Sequence, residues 1–112
     1  MGLDFNRSDV HFSYSGFNEF REKLALSIGI SLKNMSGFGG YNPWSTVRSG
    51  LKPLLNHSDC DGDLSVQELR LIYPELRSVC EKWQDSLYKS RGLQLADDME
   101  KCVRDKVSLE FC

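Results

Sequence analysis

Residues 57–68, His-Ser-Asp-Cys-Asp-Gly-Asp-Leu-Ser-Val-Gln-Glu, set three aspartates within five positions and run directly into a helix start. Asp59, Asp61 and Asp63 repel one another at that spacing. The backbone must therefore either splay the carboxylates into water, which screens them, or gather them around a positive charge. Gly62 lies between two of them and can take the positive φ that a tight reversal needs. Ser65 followed three residues later by Glu68 is a capping box, and Leu64 and Leu69 occupy the positions of the accompanying hydrophobic staple. A turn and then a helix beginning near residue 66 are thus dictated locally.

Counted back twelve places from Glu68, His57 falls at position 1, Asp59 at 3, Asp61 at 5, Gly62 at 6, Asp63 at 7, Ser65 at 9 and Glu68 at 12. This spacing resembles the calcium loop of an EF-hand, in which a tight turn folds several oxygens around one hard cation. The resemblance implies Ca²⁺ held by the carboxylates of Asp59 and Asp61, a bidentate Glu68, the backbone carbonyl of Asp63, and Ser65 directly or through water. It departs from the pattern at the first position, where His57 replaces an aspartate. An imidazole suits Zn²⁺ or Cu²⁺ better than Ca²⁺. Asn56 offers an amide oxygen instead if the loop is one residue longer. With one anionic ligand fewer, the expected dissociation constant is on the order of 10⁻⁴–10⁻³ M. The competing expectation is a metal-free, solvated Asx-rich turn that merely precedes a capped helix.

On either side the pattern is mostly helical. Trp44, Val47, Leu51, Leu54 and Leu55 form an apolar series consistent with a helix entering the loop, although Pro53 disturbs it. Leu69, Ile72 and Tyr73 repeat at helical spacing until Pro74, which is expected to stop that helix and open the next. Leu76, Val79, Cys80, Trp83 and Leu87 make the apolar face of that next helix. A last helix over about 86–106 presents Tyr88, Leu95, Met99, Cys102 and Val103. Near the start, Val10, Phe12 and Tyr14 alternate with polar residues as in a half-buried strand. Ser15-Gly16 then opens a helix with Phe17, Phe20, Leu24 and Ile28 on one face and Glu19, Arg21, Glu22 and Lys23 away from it. Leu109 and Phe111 alternate at the other end and are expected to pair with the 10–14 strand. The reading is one domain over 1–112: α+β, mainly helical, with an EF-hand-like helix-loop-helix at about 44–73 and a small two-stranded sheet formed by the chain ends. EF-hands normally work in pairs, but Asp4, Asn6, Ser8 and Asp9 are the only faint echo of a second loop.

Composition narrows the function classes. A net charge of −2 gives no basic footprint for nucleic acid or an anionic membrane. No apolar run approaches the roughly 18 residues that span a bilayer. The opening Met1-Gly2-Leu3-Asp4 begins no secretory signal, so the expectation is a cytoplasmic protein. Cys60, Cys80, Cys102 and Cys112 form no Cys-x-x-Cys pair and are expected to be free thiols. Cys112 is a source of adventitious dimers, in a chain expected to be a monomer or weak homodimer.

Enzyme chemistry finds little footing, and none is expected. Cys60 is flanked by Asp59 and Asp61, whose charges suppress a reactive thiolate. His57, Cys60 and an aspartate match no closed zinc set. The loop over 37–40 lacks the Lys-Ser/Thr of a phosphate cradle. Asp97 and Asp98 beside Lys101 read as a solvated helix face, and His11 as a packed or exposed histidine. Phe38, Tyr41 and Trp44, on or beside the glycine-rich stretch 36–43, either anchor a protein partner or fold back over the core. Taken whole, the opening Met-Gly-Leu-Asp-Phe, the stretch 12–17 (Phe-Ser-Tyr-Ser-Gly-Phe) and residues 54–62 resemble a group of small soluble proteins of unknown function. That resemblance carries no activity with it. Two functions stand as expectations: a single weak Ca²⁺-binding loop, or a metal-free interaction module for a protein partner.

Overall fold

A computed structural model of the chain describes residues 2–58 and 61–112. The fold is α+β and mainly helical, with two small antiparallel two-stranded sheets. The chain opens on a hairpin: β1 (Leu3–Phe5) and β2 (Ser8–Phe12) turn at Asn6 and Arg7, with Leu3 opposite Phe12 and Phe5 opposite Ser8. Alternation sends Leu3, Phe5, Val10 and Phe12 inward. Ser13 accepts a hydrogen bond from the Gly16 N–H at 3.0 Å and so caps α1 (Tyr14–Ser27). The buried face of α1 is Phe17, Phe20, Arg21, Leu24 and Ala25. Arg21, expected on the polar side, is only 4% exposed.

The apolar series before the acidic loop does not become one helix. It yields a single 3₁₀ turn at Trp44–Thr46 and the four-residue α2 (Lys52–Leu55), with Pro53 in its first turn. The reason lies at Ser49 and Gly50, which donate to the two carboxylate oxygens of Glu75 and tie the chain off before α2 can extend backwards. Beyond the loop, β3 (Asp63–Leu64) leads into α3 (Val66–Glu81), which runs unbroken through Pro74. A proline inside a helix costs about 3 kcal/mol. Leu69, Ile72, Leu76 and Cys80, fully buried along one face of α3, outweigh that at roughly 1.5–3 kcal/mol for each of the larger side chains. The expected break at Pro74 is therefore absent, and the helix ends at Glu81 instead. Leu87 consequently falls outside the apolar face assigned to it and is 62% exposed.

After a short connection, α4 (Leu87–Asp105) returns antiparallel to α3, capped by Ser86 and ended by Lys106 in the left-handed region at φ 58°. Arg77 of α3 bridges Asp97 and Glu100 of α4 at 2.9 and 2.6 Å. Asp98, expected on a solvated face, is 7% exposed and accepts from Ser8 Oγ at 2.6 Å and from the Gln94 amide. It thereby pins α4 to the hairpin. The helices meet around an aromatic cluster in which Phe20 lies 5.0 Å from Phe12 and 5.9 Å from Trp83, ring centre to ring centre.

Gly92 marks the closest approach within this core. A Cβ there would collide with Cys80 Sγ and lie 3.2 Å from the Phe20 ring. Alanine is the better helix former by about 1 kcal/mol, yet overpacking a closed core costs about 1–3 kcal/mol. Gly92→Ala is therefore expected to lower stability by about 1 kcal/mol, read as a reduced urea midpoint at unchanged slope. A gain in stability would show that the helices can separate freely at this point.

The last strand, β4 (Leu109–Glu110), pairs antiparallel with β3, not with the 10–14 segment. The chain ends do meet, but through β1: Cys112 N donates to Asp4 O at 2.8 Å, Asn6 N donates to Glu110 O at 3.1 Å, and Phe5 bridges Phe111. One edge of β2 is taken by β1, which the sequence reading missed as a strand. Among the described residues no helix is long and apolar enough to cross a membrane.

Candidate functional site

The acidic loop is built between the end of α2 and the start of α3. Gly62 adopts φ 87°, the left-handed conformation required of it, and reverses the chain at the sixth loop position. Asp63 and Leu64 then form β3 against β4, and the Phe111 N–H donates to Gly62 O at 2.9 Å. The capping box is complete: Glu68 N donates to Ser65 Oγ at 3.2 Å, and Ser65 N donates to Glu68 Oε1 at 2.9 Å. Leu64 and Leu69 are both fully buried.

His57 closes the turn. Its Nε2 lies 2.8 Å from Asp63 O and its Nδ1 lies 2.8 Å from Ser58 O. A neutral imidazole carries one N–H, so it serves one of these carbonyls at a time, and a doubly protonated ring serves both. The ring also packs on Phe111, centroids 4.0 Å apart and planes tilted by 32°. From the other side, Arg21 reaches the same backbone. Its Nη1 donates to His57 O at 2.5 Å and, at 3.4 Å, to Leu55 O. The guanidinium sits 4.6 Å from the Phe17 ring centre and 5.1 Å from that of Phe38, a cation-π arrangement that compensates part of its desolvation.

Of the predicted ligands, the first and seventh positions come together, through His57 and the Asp63 carbonyl. Ser65 and Glu68 also come together, but in the cap. Asn56, His57 and Glu68 line one hollow with Lys52 and Pro53. The Asp61 and Asp63 side chains are exposed, while Asp59 and Cys60 lie outside the described residues. Among the described residues no three His, Cys, Asp or Glu side chains gather closely enough to hold a metal.

The sequence reading missed Arg21, although the signal was present: four places after Phe17 and three before Leu24, it shares their helix face. It also gave no hint of Phe111 against His57, a contact made only by the closing of the termini. The aromatic stretch divides. Phe38 and Trp44 pack edge to face, 5.9 Å apart, against the core, with Trp44 Nε1 donating to Ser36 O at 2.9 Å. Tyr41 is 96% exposed. Cys80 and Cys102 are buried free thiols, and burial pushes the Cys80 thiol up to about 12, which leaves it inert as a nucleophile. His11 pairs with Asp4 on the surface at 2.8 Å. No family model, curated protein or solved structure matches this chain.

Proposed function

We propose that residues 57–68 bind a single divalent cation weakly, with Ca²⁺ the ion best suited to their oxygen donors. The observation that carries this reading is the reversal at Gly62, which directs the Asp63 carbonyl onto the first loop position, 2.8 Å from the His57 ring. Asp61, Ser65 and Glu68 follow at EF-hand spacing, with Asp59 supplied by the sequence. Two features hold the affinity down. His57 must leave the Asp63 carbonyl to make room, and Glu68 must give up the Ser65 N–H to chelate. A dissociation constant on the order of 10⁻⁴–10⁻³ M follows, so in a cytoplasmic setting the site stays empty at rest.

Calcium titration by calorimetry, paired with thermal melting, tests this. Ca²⁺ at about ten times that dissociation constant is expected to raise the melting temperature by several degrees. Glu68→Gln retains the capping box, since glutamine serves it equally, but removes the chelating carboxylate. It should weaken Ca²⁺ binding by about tenfold or more with the metal-free melting temperature unchanged. His57→Asp supplies the missing anionic ligand and should tighten binding by a similar factor. A wild-type melting curve indifferent to millimolar Ca²⁺ counts against the reading.

A second reading is favoured by the completed capping box and the His57 bridge, which close the turn without any ion. The chain is then a metal-free interaction module whose acidic turn is architectural. That reading expects silent titrations for all three proteins and a loss of stability on His57→Ala.

A further inference from the structure

A groove runs between β2 and α4, on the side of the hairpin remote from the acidic loop. Asp9, Val10 and His11 form one wall, and Ser90, Arg91 and Gln94 form the other. Successive residues of a strand point to opposite faces, and here Val10 is buried while Asp9 and His11 are exposed. Three consecutive residues can line one hollow only if the hollow faces the strand's edge. The opposite edge of β2 is occupied by β1, whose own far side takes the carboxy-terminal segment, and among the described residues no strand pairs with the remaining edge of β2. The register also shifts between Leu3 and Phe5, so that Asp4 alone stands across from residues 9–11. An extra residue at such a bulge lacks its ladder partner, and here the Val10 N–H turns to Ser8 Oγ at 3.2 Å.

The helical wall adds a charge. Arg91 is half-buried, with its guanidinium 5.4 Å from the centre of the Phe12 ring. Among the described residues no carboxylate forms an ion pair with it. A guanidinium presents a planar fork of donors matched to a carboxylate. Ser90 and Gln94, both exposed, flank it on the same helix face. Toward one end, beyond Asp9 and Gln94, Ser8 Oγ donates to Asp98 at 2.6 Å. The other end lies toward Tyr88, whose hydroxyl donates to Glu19 at 2.6 Å.

We propose that this groove binds an extended peptide segment by strand addition to the outer edge of β2, with an Asp or Glu side chain of the peptide seated on Arg91. Backbone pairing supplies length-dependent affinity and the Arg91 fork supplies the selectivity, the division of labour expected of edge recognition. The occupant is acidic because, among the described residues that line the groove, Arg91 is the cation without a carboxylate partner, whereas His11 is held by Asp4. The proposal stands independently of whether the acidic loop binds an ion.

The test begins by panning a phage-displayed random library of peptides, each about seven residues long so as to span the strand, on the full chain. An enriched peptide is then synthesised with a fluorescein label and titrated by anisotropy. Enriched peptides are expected to alternate apolar and polar residues around one Asp or Glu. Arg91→Ala should weaken the labelled peptide by about tenfold or more. Arg91→Lys, which keeps charge without the fork, should fall between the two. Methylating a backbone nitrogen at the peptide's centre should weaken binding by a comparable factor, because it removes a strand hydrogen bond and leaves the side chains in place. Amide exchange at residues 9–11 should slow in the complex. Absence of enrichment, equal binding by a folded Arg91→Ala protein, enrichment of peptides lacking an acid, or tolerance of the methylated backbone would each overturn the proposal. Circular dichroism and melting of both variants separate lost recognition from lost folding.

Discussion

Phe20→Ala is expected to cost the fold about 3–5 kcal/mol, the largest effect of any single truncation considered for this chain. Phe20 is fully buried and its ring is shared by three parts of the structure. Phe12 lies 5.0 Å away on the hairpin, Trp83 5.9 Å away in the α3–α4 connection, and Tyr88 6.2 Å away on α4. Each of these loses a packing partner at once, and the neighbours cannot collapse far because Gly92 and Cys80 already touch. For a domain of this size the loss corresponds to a fall in melting temperature of roughly 10–20 °C. Urea denaturation followed by tryptophan fluorescence measures it, since Trp83 reports on the affected cluster. A loss below about 1 kcal/mol would mean that the ring sits at a yielding boundary and not at the centre of the core.

Arg21→Met is the second large effect, expected at about 2–4 kcal/mol. Methionine keeps most of the apolar stem in place and removes the charged donors. The losses include the charge-assisted bond to His57 O, the longer one to Leu55 O, and the guanidinium's contacts with Phe17 and Phe38. Hydrogen bonds to charged groups are worth about 1.5–3 kcal/mol each. Relief from burying a cation offsets part of that total. Lysine cannot reproduce the fork, so Arg21→Lys should recover less than half of the loss. NMR of the His57 ring provides a separate readout, because the change detaches the backbone on which that ring is mounted. Unchanged stability with unmoved His57 signals would remove Arg21 from the support of the loop.

Much of the helical framework was legible in the sequence because local chemistry and long-range packing agree there. The Ser65/Glu68 capping box, the reversal at Gly62 and the extent of α4 all follow from nearest neighbours. The reading failed where distant residues decide. Pro74 breaks helices by its own nature, and only burial of Leu69, Ile72, Leu76 and Cys80 against the rest of the core overrules it. The segment before the loop has helical periodicity, and Glu75 defeats it by capturing Ser49 and Gly50 from another element. The charge of Arg21 argues for solvent and its position on the α1 face argues for burial, and the position is the better guide. The loop itself was half legible: its spacing and glycine are local facts, whereas the partners of His57 depend on Phe111, which is distant in sequence and invisible to any window.

The docking of Phe111 has a practical consequence. Its N–H holds Gly62 and its ring holds His57, so the carboxy-terminal tail acts as a tether on the centre of the polypeptide. Cys112, one residue further, is exposed, whereas burial raises the thiol pKa of both Cys80 and Cys102. Among these three, a thiol-reactive fluorophore at neutral pH will attach selectively to Cys112. Such a dye would sit one residue from the tether and register any rearrangement of the aspartate-rich segment as a change in its own emission.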